Sequence, residues 1–333
     1  MQKMRFGIIG CGGIAHFHAK AIGALSGAVL AAVTDSVPEQ REAFGKKWGI
    51  PSFPDVRAML SEADVDIVSI CTPSGFHAEL AIQALKAGKN VVVEKPFAIT
   101  RDSMEETLAA EKAAAGRMTV ISQLRFADDV ILVKKLIEEK ALGNILLADL
   151  SMKYFREPSY YSGGWRGTIA MDGGGALINQ GIHGVDLLRF LCGDVKKVHA
   201  RKKTLLHHIE AEDTLCADFE LENGGLGVLT ATTSCFPGHA RRLEICGTKG
   251  SLTLEESKLI RLETEGGHTL PEKTDSAPAA GATYRDPFAM DSTLHTKQLE
   301  RFVTSLVEKG PPVLPAAEAA GTLRIIFDIY ECK

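Results

Sequence analysis

No apolar run reaches the roughly eighteen residues that a membrane-spanning helix needs, so nothing in the 333 residues points to a bilayer. The opening Met1-Gln2-Lys3-Met4 leads straight into a strand pattern rather than into a secretory leader. Basic charge is not in excess: 38 Lys and Arg stand against 42 Asp and Glu, a net −4. That balance provides neither a field for nucleic acid nor a polybasic patch for anionic lipid. Cysteine pairs are missing as well. Cys11, Cys71, Cys192, Cys216, Cys235, Cys246 and Cys332 are scattered, odd in number and never at metal-ligand spacing. They read as buried free thiols in a reducing cytoplasm, and no metal is expected. What is present, 45% apolar and 24% charged residues, belongs to a soluble globular chain long enough for two domains.

Phe6-Gly7-Ile8-Ile9 is a short apolar strand, followed by Gly10-Cys11-Gly12-Gly13-Ile14-Ala15. In this G-x-G-x-x-A turn, Gly10 permits the tight bend and Gly12 lets the backbone approach a pyrophosphate. Ala15 lets helix and strand pack closely. A second buried strand over 29–34 ends in Asp35. An acid there accepts both ribose hydroxyls of NAD and repels the 2′-phosphate of NADP, so NAD is the expected cofactor. The alternative role for Asp35 is a helix N-cap, and the two can coexist.

Further strands over 67–71, 91–93 and 118–122 alternate with helices near 76–85 and 102–115. This is the pattern of a doubly wound parallel sheet of Rossmann type. The second of these strands carries the most unusual ending, Val91-Val92-Val93-Glu94-Lys95-Pro96. Three valines in a row read as a strand buried on both faces. Lysine is almost never buried without a partner, and Lys95 leaves the sheet at its carboxyl edge, where ligands bind in this architecture. Pro96 restricts the backbone of Lys95. The plainer reading is a strand cap with a solvated ion pair.

The texture changes after Gln123, which divides the chain into 1–123 and 124–333. After one amphipathic helix over 130–139, the residues 213–221 alternate, with Leu215, Ala217, Phe219 and Leu221 on one face. Short strands over 225–234, 243–246, 251–254 and 259–263 follow, as in an open, mostly antiparallel sheet covered on one face. The other face, with Thr230, Thr232 and Ser234, is suited to pairing with a second copy, a homodimer or homotetramer. Residues 265–286 read as a mobile loop, and helices near 292–308 and 316–330 close the chain.

Between 153 and 186 the chemistry is densest. Tyr154, Arg156, Tyr160, Tyr161, Trp165 and Arg166 crowd a loop with three glycines, suited to a sugar ring bearing an anionic group or to a folded-down surface loop. After Gly173-Gly174-Gly175 a helix begins, on which Asn179, His183 and Asp186 fall at i, i+4 and i+7 and share a face. The remaining histidines (His16, His18, His199, His207, His208, His239, His268 and His295) read as groups satisfying local hydrogen bonds.

Gly10 to Ala15, Thr72-Pro73 with His77, the stretch from Ala84 to Pro96 and the stretch from Gly173 to Asp186 together resemble the glucose–fructose oxidoreductase/inositol dehydrogenase (Gfo/Idh/MocA) family. The resemblance covers essentially the whole chain. It implies a Rossmann domain joined to an α+β domain for substrate binding and oligomerisation. It further implies hydride transfer between a nicotinamide and a carbinol carbon of a sugar, cyclitol or sugar derivative. By position, Lys95 matches the catalytic lysine and His183 the general base, while Asn179 stands where many members have an aspartate. The resemblance also implies cofactor contacts from Gly10, Cys11, Gly12, Gly13, Ile14, Asp35, Thr72, Pro73, His77, Glu94, Lys95, Gln123, Trp165 and Arg166. Substrate contacts are implied for Lys95, Tyr154, Arg156, Asn179 and His183. The Asn179–His183 segment with Trp165-Arg166-Gly167 looks like a subgroup that includes sugar-nucleotide 3-dehydrogenases. Two alternatives remain, an enzyme of this fold with non-dissociating NAD and a non-enzymatic nucleotide-binding regulator.

Overall fold

The computed structural model describes residues 3–268, 270 and 291–332. Most of the stretch read as a mobile loop, 269 and 271–286, therefore lies outside the described residues. The chain divides into two compact units, Met1–Gln123 with Asp291–Ala320, and Leu124–Met290 with Gly321–Lys333.

The first unit is built on six parallel strands, β1 (Met4–Ile9), β2 (Ala28–Thr34), β3 (Ser52–Phe53), β4 (Ile67–Ile70), β5 (Asn90–Val93) and β6 (Met118–Val120). Their order is β3-β2-β1-β4-β5-β6, so the winding reverses between β1 and β4, the switch point at which such sheets bind ligands. The connecting helices are α1 (Gly13–Gly23), α2 (Pro38–Trp48), α3 (Val56–Glu62), α4 (His77–Lys86) and α5 (Arg101–Ala113). Val91, Val92 and Val93 are fully buried, as three unalternating valines require. Helix α5 starts on a capping box in which Thr100 and Ser103 satisfy each other's backbone N–H groups.

One element comes from far along the chain. The helix Thr293–Val307 places Leu299, Phe302 and Val303 in the same core as Ala15, Ala19 and Ile22 of α1. The division at Gln123 is thus crossed by residues 291–320, which return to the first unit instead of continuing 124–333. An amphipathic face shows that a helix is covered, but its sequence does not say by what.

Among the described residues the second unit holds seven strands, β7 (Ile145–Lys153), β8 (Val195–Lys203), β9 (Thr214–Leu221), β10 (Leu226–Thr232), β11 (Arg242–Gly247), β12 (Gly250–Glu255) and β13 (Lys258–Thr264). They run β13-β12-β11-β7-β10-β9-β8. All pairs are antiparallel except β7 with β10. Leu215, Ala217, Phe219 and Leu221 do line the buried face, with Leu229 and Ala231 of β10 and Ala148 and Leu150 of β7 beside them. Strand β8 is rich in Lys and Arg along a sheet edge, which deters further strand addition and hides the strand from an apolar pattern. The helices of this unit include α6 (Asp128–Glu138), α7 (Ile169–Asp172) and α8 (Ile182–Cys192), and the closing helix Ala316–Glu331 belongs to it from Gly321 onward. All seven cysteines are free, but only Cys11, Cys71 and Cys192 are buried, and Cys216 is exposed on β9, contrary to the reading of all seven as interior.

Candidate active site

In the first unit the expected cofactor residues gather at the carboxyl ends of β1, β2, β4, β5 and β6. Gly10 bends away from β1 with φ +92°, and a Cβ there would lie 2.9 Å from the Cys71 carbonyl group, so no other residue fits. Gly12 stands at the amino end of α1, where a built Cβ meets nothing within 4 Å. This open approach to the first N–H groups of a helix suits a pyrophosphate. Asp35 accepts the Cys11 N–H at 2.7 Å and the Val37 N–H at 2.8 Å, so it caps the next turn as well as facing the glycine turn. Arg41 donates to the Asp35 backbone carbonyl. Thr72 Oγ1 and Gln123 Oε1 are buried with no hydrogen-bond partner among the described residues. Orphaned polar atoms at this edge are what a bound dinucleotide would satisfy, and with the open glycine turn they fit the cofactor expected from the sequence.

His77 has a different task. Its ring nitrogens lie 2.7 Å from the Pro96 carbonyl oxygen and 2.8 Å from that of Thr72. Buried, it ties the turns after β4 and β5 together. Burial lowers its pKa, against the raising effect of the two carbonyls.

Glu94 is also turned inward. Its Oε1 lies 2.9 Å from His18 Nε2 and 3.5 Å from His295 Nε2, and its Oε2 accepts the Lys95 N–H at 3.2 Å. His18 reaches Ser69 Oγ with its other nitrogen at 2.7 Å. Burial alone would raise the Glu94 pKa, but the two histidines outweigh it and hold the carboxyl well below its ordinary value. Burial in turn lowers that of His18, against the raising effect of Glu94. The three side chains bring possible ligand atoms within 4.8 Å of one another, yet here they form hydrogen bonds that brace the backbone of Lys95. Lys95 itself is half-buried and is joined to Pro96 by a cis peptide bond.

The second unit carries the other group. Arg156 is buried, its guanidinium 5.3 Å from the Tyr154 ring centroid and 5.7 Å from that of Tyr160. Arg166 lies 4.5 Å from the Tyr160 centroid and 4.8 Å from that of Trp165. Such stacking fixes both guanidinium planes, and Arg156 Nη1 also donates to the Phe155 carbonyl at 2.9 Å. Tyr154, named for substrate contact, is buried with its hydroxyl donated to Glu256, so it serves as a platform for Arg156. Tyr161 donates to or accepts from Thr233, and Gln180 Nε2 donates to the Tyr160 hydroxyl at 3.0 Å. The aromatic loop is therefore tied down onto the functional helix.

That helix begins as a π-turn over Leu177–Gly181 and continues as α8. Single π-turns inside helices are rare and frequent at functional sites. The wider spacing takes Asn179 out of the simple i, i+4, i+7 register, whereas His183 and Asp186 keep an i, i+3 spacing on α8. Asn179 and His183 are half-buried, whereas Asp186 is buried against Arg125, at 2.7 and 2.8 Å, and accepts from Thr322. Asp186 is a structural anchor for Arg125. Asn179 Nδ2 donates to Asp172 Oδ1 at 2.6 Å. Glu212 accepts the N–H groups of Gly175 and Leu177 and the hydroxyl of Tyr330, closing the start of the π-turn. Neither Asp172 nor Glu212 stood out in the sequence. The acid one residue before three glycines was the available signal for Asp172, and none existed for Glu212.

Residues 4–122 match the description "Oxidoreductase family, NAD-binding Rossmann fold", and residues 130–253 match "GFO/IDH/MocA C-terminal domain". An inositol 2-dehydrogenase of Rhizobium meliloti is 26% identical over 322 residues, spanning 95% of this chain and 92% of that protein. A D-glucoside 3-dehydrogenase of Escherichia coli is 27% identical over 355 residues, spanning 99% and 95%. Among solved structures, the WlbA dehydrogenase of Bordetella pertussis in complex with NADH and UDP-GlcNAcA superposes with a TM-score of 0.88 at 30% identity, covering 99% of this chain and 96% of that one. With a glycine turn, a paired acid and a Glu94-Lys95-Pro96 strand edge on one unit, and a π-turned Asn179–His183 helix on the other, the chain belongs to the Gfo/Idh/MocA family of NAD-binding oxidoreductases.

Proposed function

We propose that this chain is an NAD-dependent dehydrogenase of a sugar or sugar derivative, with an anionic hexose, free or as a sugar nucleotide, as the favoured substrate. The observation that carries the substrate class is the pair of guanidinium groups, Arg156 and Arg166, stacked on Tyr154, Tyr160 and Trp165 beside the Asn179–His183 helix. The relative bound to a sugar nucleotide supports the same choice. Gly10 to Ile14, Asp35, Thr72, Gln123, Trp165 and Arg166 are the residues that would hold the dinucleotide. Bound NAD supplies the hydride acceptor. His183, as neutral imidazole, takes the proton of the reacting hydroxyl. The Lys95 ammonium stabilises negative charge growing on that oxygen. Asn179 accepts a hydrogen bond from a substrate hydroxyl.

The protein works as a homodimer or homotetramer through the open face of the second sheet, and its free thiols suit the cytoplasm. Among the described residues no helix is long and apolar enough to cross a membrane. A screen following NADH absorbance over uronates, sugar nucleotides, inositols and neutral sugars tests the function. Turnover of an anionic hexose or its nucleotide is expected; turnover confined to inositols overturns the substrate class, and no turnover at all overturns the enzyme.

A further inference from the structure

We propose that Asp172 is a positioning residue for Asn179: it fixes which end of that amide faces the reacting hydroxyl, an inference that rests on the dehydrogenase reading above. Asp172 closes α7 and is 1% exposed. Its Oδ2 accepts the Gly167 N–H at 2.9 Å, and its Oδ1 accepts Asn179 Nδ2 at 2.6 Å. An ionised carboxylate has acceptors only, so an amide that faces it must present its NH2 group. Asn179 Oδ1 is then directed away from Asp172, as an acceptor. Held this way, Asn179 offers an oxygen where an aspartate would, with the negative charge moved back onto Asp172. The same carboxylate also pins Gly167, at the end of the aromatic–arginine loop, so loop and amide are set by one group.

The consequence of D172N follows from donor counting. The Gly167 N–H still needs an acceptor, so the new amide at 172 turns its oxygen there and its NH2 toward Asn179. Asn179 must flip, presenting a donor where it presented an acceptor. In D172N/N179D, by contrast, the amide at 172 serves Gly167 with its oxygen and the carboxylate at 179 with its NH2, and acceptors again face outward.

Neutron diffraction of NAD-bound crystals in D2O reads the amide directly. In the wild type, both deuterons on Asn179 Nδ2 should be visible, one directed at a deuteron-free Asp172; in D172N they should point the opposite way. On the compound that responds best in the sugar screen, kcat of D172N should fall by about tenfold or more, the worth of a misdirected hydrogen bond. The affinity for NAD should hold, and D172N/N179D should recover most of the kcat. A deuteron on Asp172, Asn179 deuterons directed away from it, or a double variant no faster than D172N overturns the assignment. Should the wild type turn over no sugar, the dehydrogenase reading fails, while the neutron map still decides the orientation of the amide.

Discussion

Lys95 is held from behind: Glu94 accepts its backbone N–H while His18 and His295 hold the Glu94 carboxylate in place. A side chain braced at its root suits electrostatic work, so Lys95→Ala should lower turnover by roughly a hundredfold while NAD affinity stays level. Normal turnover in that variant would reduce Lys95 to a strand cap. At position 179 the structure changes what a simple substitution does. Replacing Asn179 by aspartate alone sets two carboxylates at hydrogen-bond distance, since Asp172 Oδ1 lies 2.6 Å from the amide. Like charges so close share one proton, so N179D should be slower than the wild type unless D172N accompanies it. Asp35 offers a third test at this scale. Asp35→Ala should narrow the preference for NAD over NADP in a binding titration; an intact protein that prefers NADP would refute the role.

The element that sets the second unit's chemistry is the π-turn at Leu177–Gly181, and its foundation is steric. A Cβ on Gly175 would sit 1.8 Å from the Glu212 carbonyl oxygen, while Gly173 has φ +78°. Gly175→Ala forces backbone apart and should cost about 3 kcal/mol, or leave the protein unfolded. Thermal unfolding checks it, and a variant as stable as the wild type would mean that the turn tolerates a different start.

For the whole molecule, buried histidines set the response to acid. Burial holds His18 and His77 below the ordinary histidine pKa of 6.5. On acidification through that value the unfolded chain takes up protons that the folded chain does not. The stability due to these groups is therefore full above about pH 6.5 and is lost below it. Glu94, held well below 4.5, acts in the same direction at lower pH. The melting temperature should fall by several degrees from pH 7.5 to 5.5, and a level or rising curve would contradict this. The open sheet face bears Leu147, Leu226 and Val228, 46%, 59% and 43% exposed, with Leu226 directly opposite Leu147. Light scattering of a Leu226→Lys, Val228→Lys variant should show smaller particles than the wild type, and an unchanged mass would remove this face as the interface.

Local sequence determined a great deal here. The glycine turn, the unalternating valines before Glu94-Lys95-Pro96 and the period-two pattern of 213–221 are each readable because backbone sterics and burial act on neighbouring residues. So the Rossmann strands, the second sheet and the family could be read from the chain itself. Only the tertiary structure decided the rest, which depends on residues far apart in sequence. His295 returns from a distant helix to Glu94, and Glu212 and Tyr330 close the start of the π-turn. Asp186 finds Arg125, and Asp172 meets Asn179 because α7 and three glycines fold between them. A hydrogen bond has no period. Which acid meets which amide depends on where the chain doubles back, and packing of the whole unit sets that.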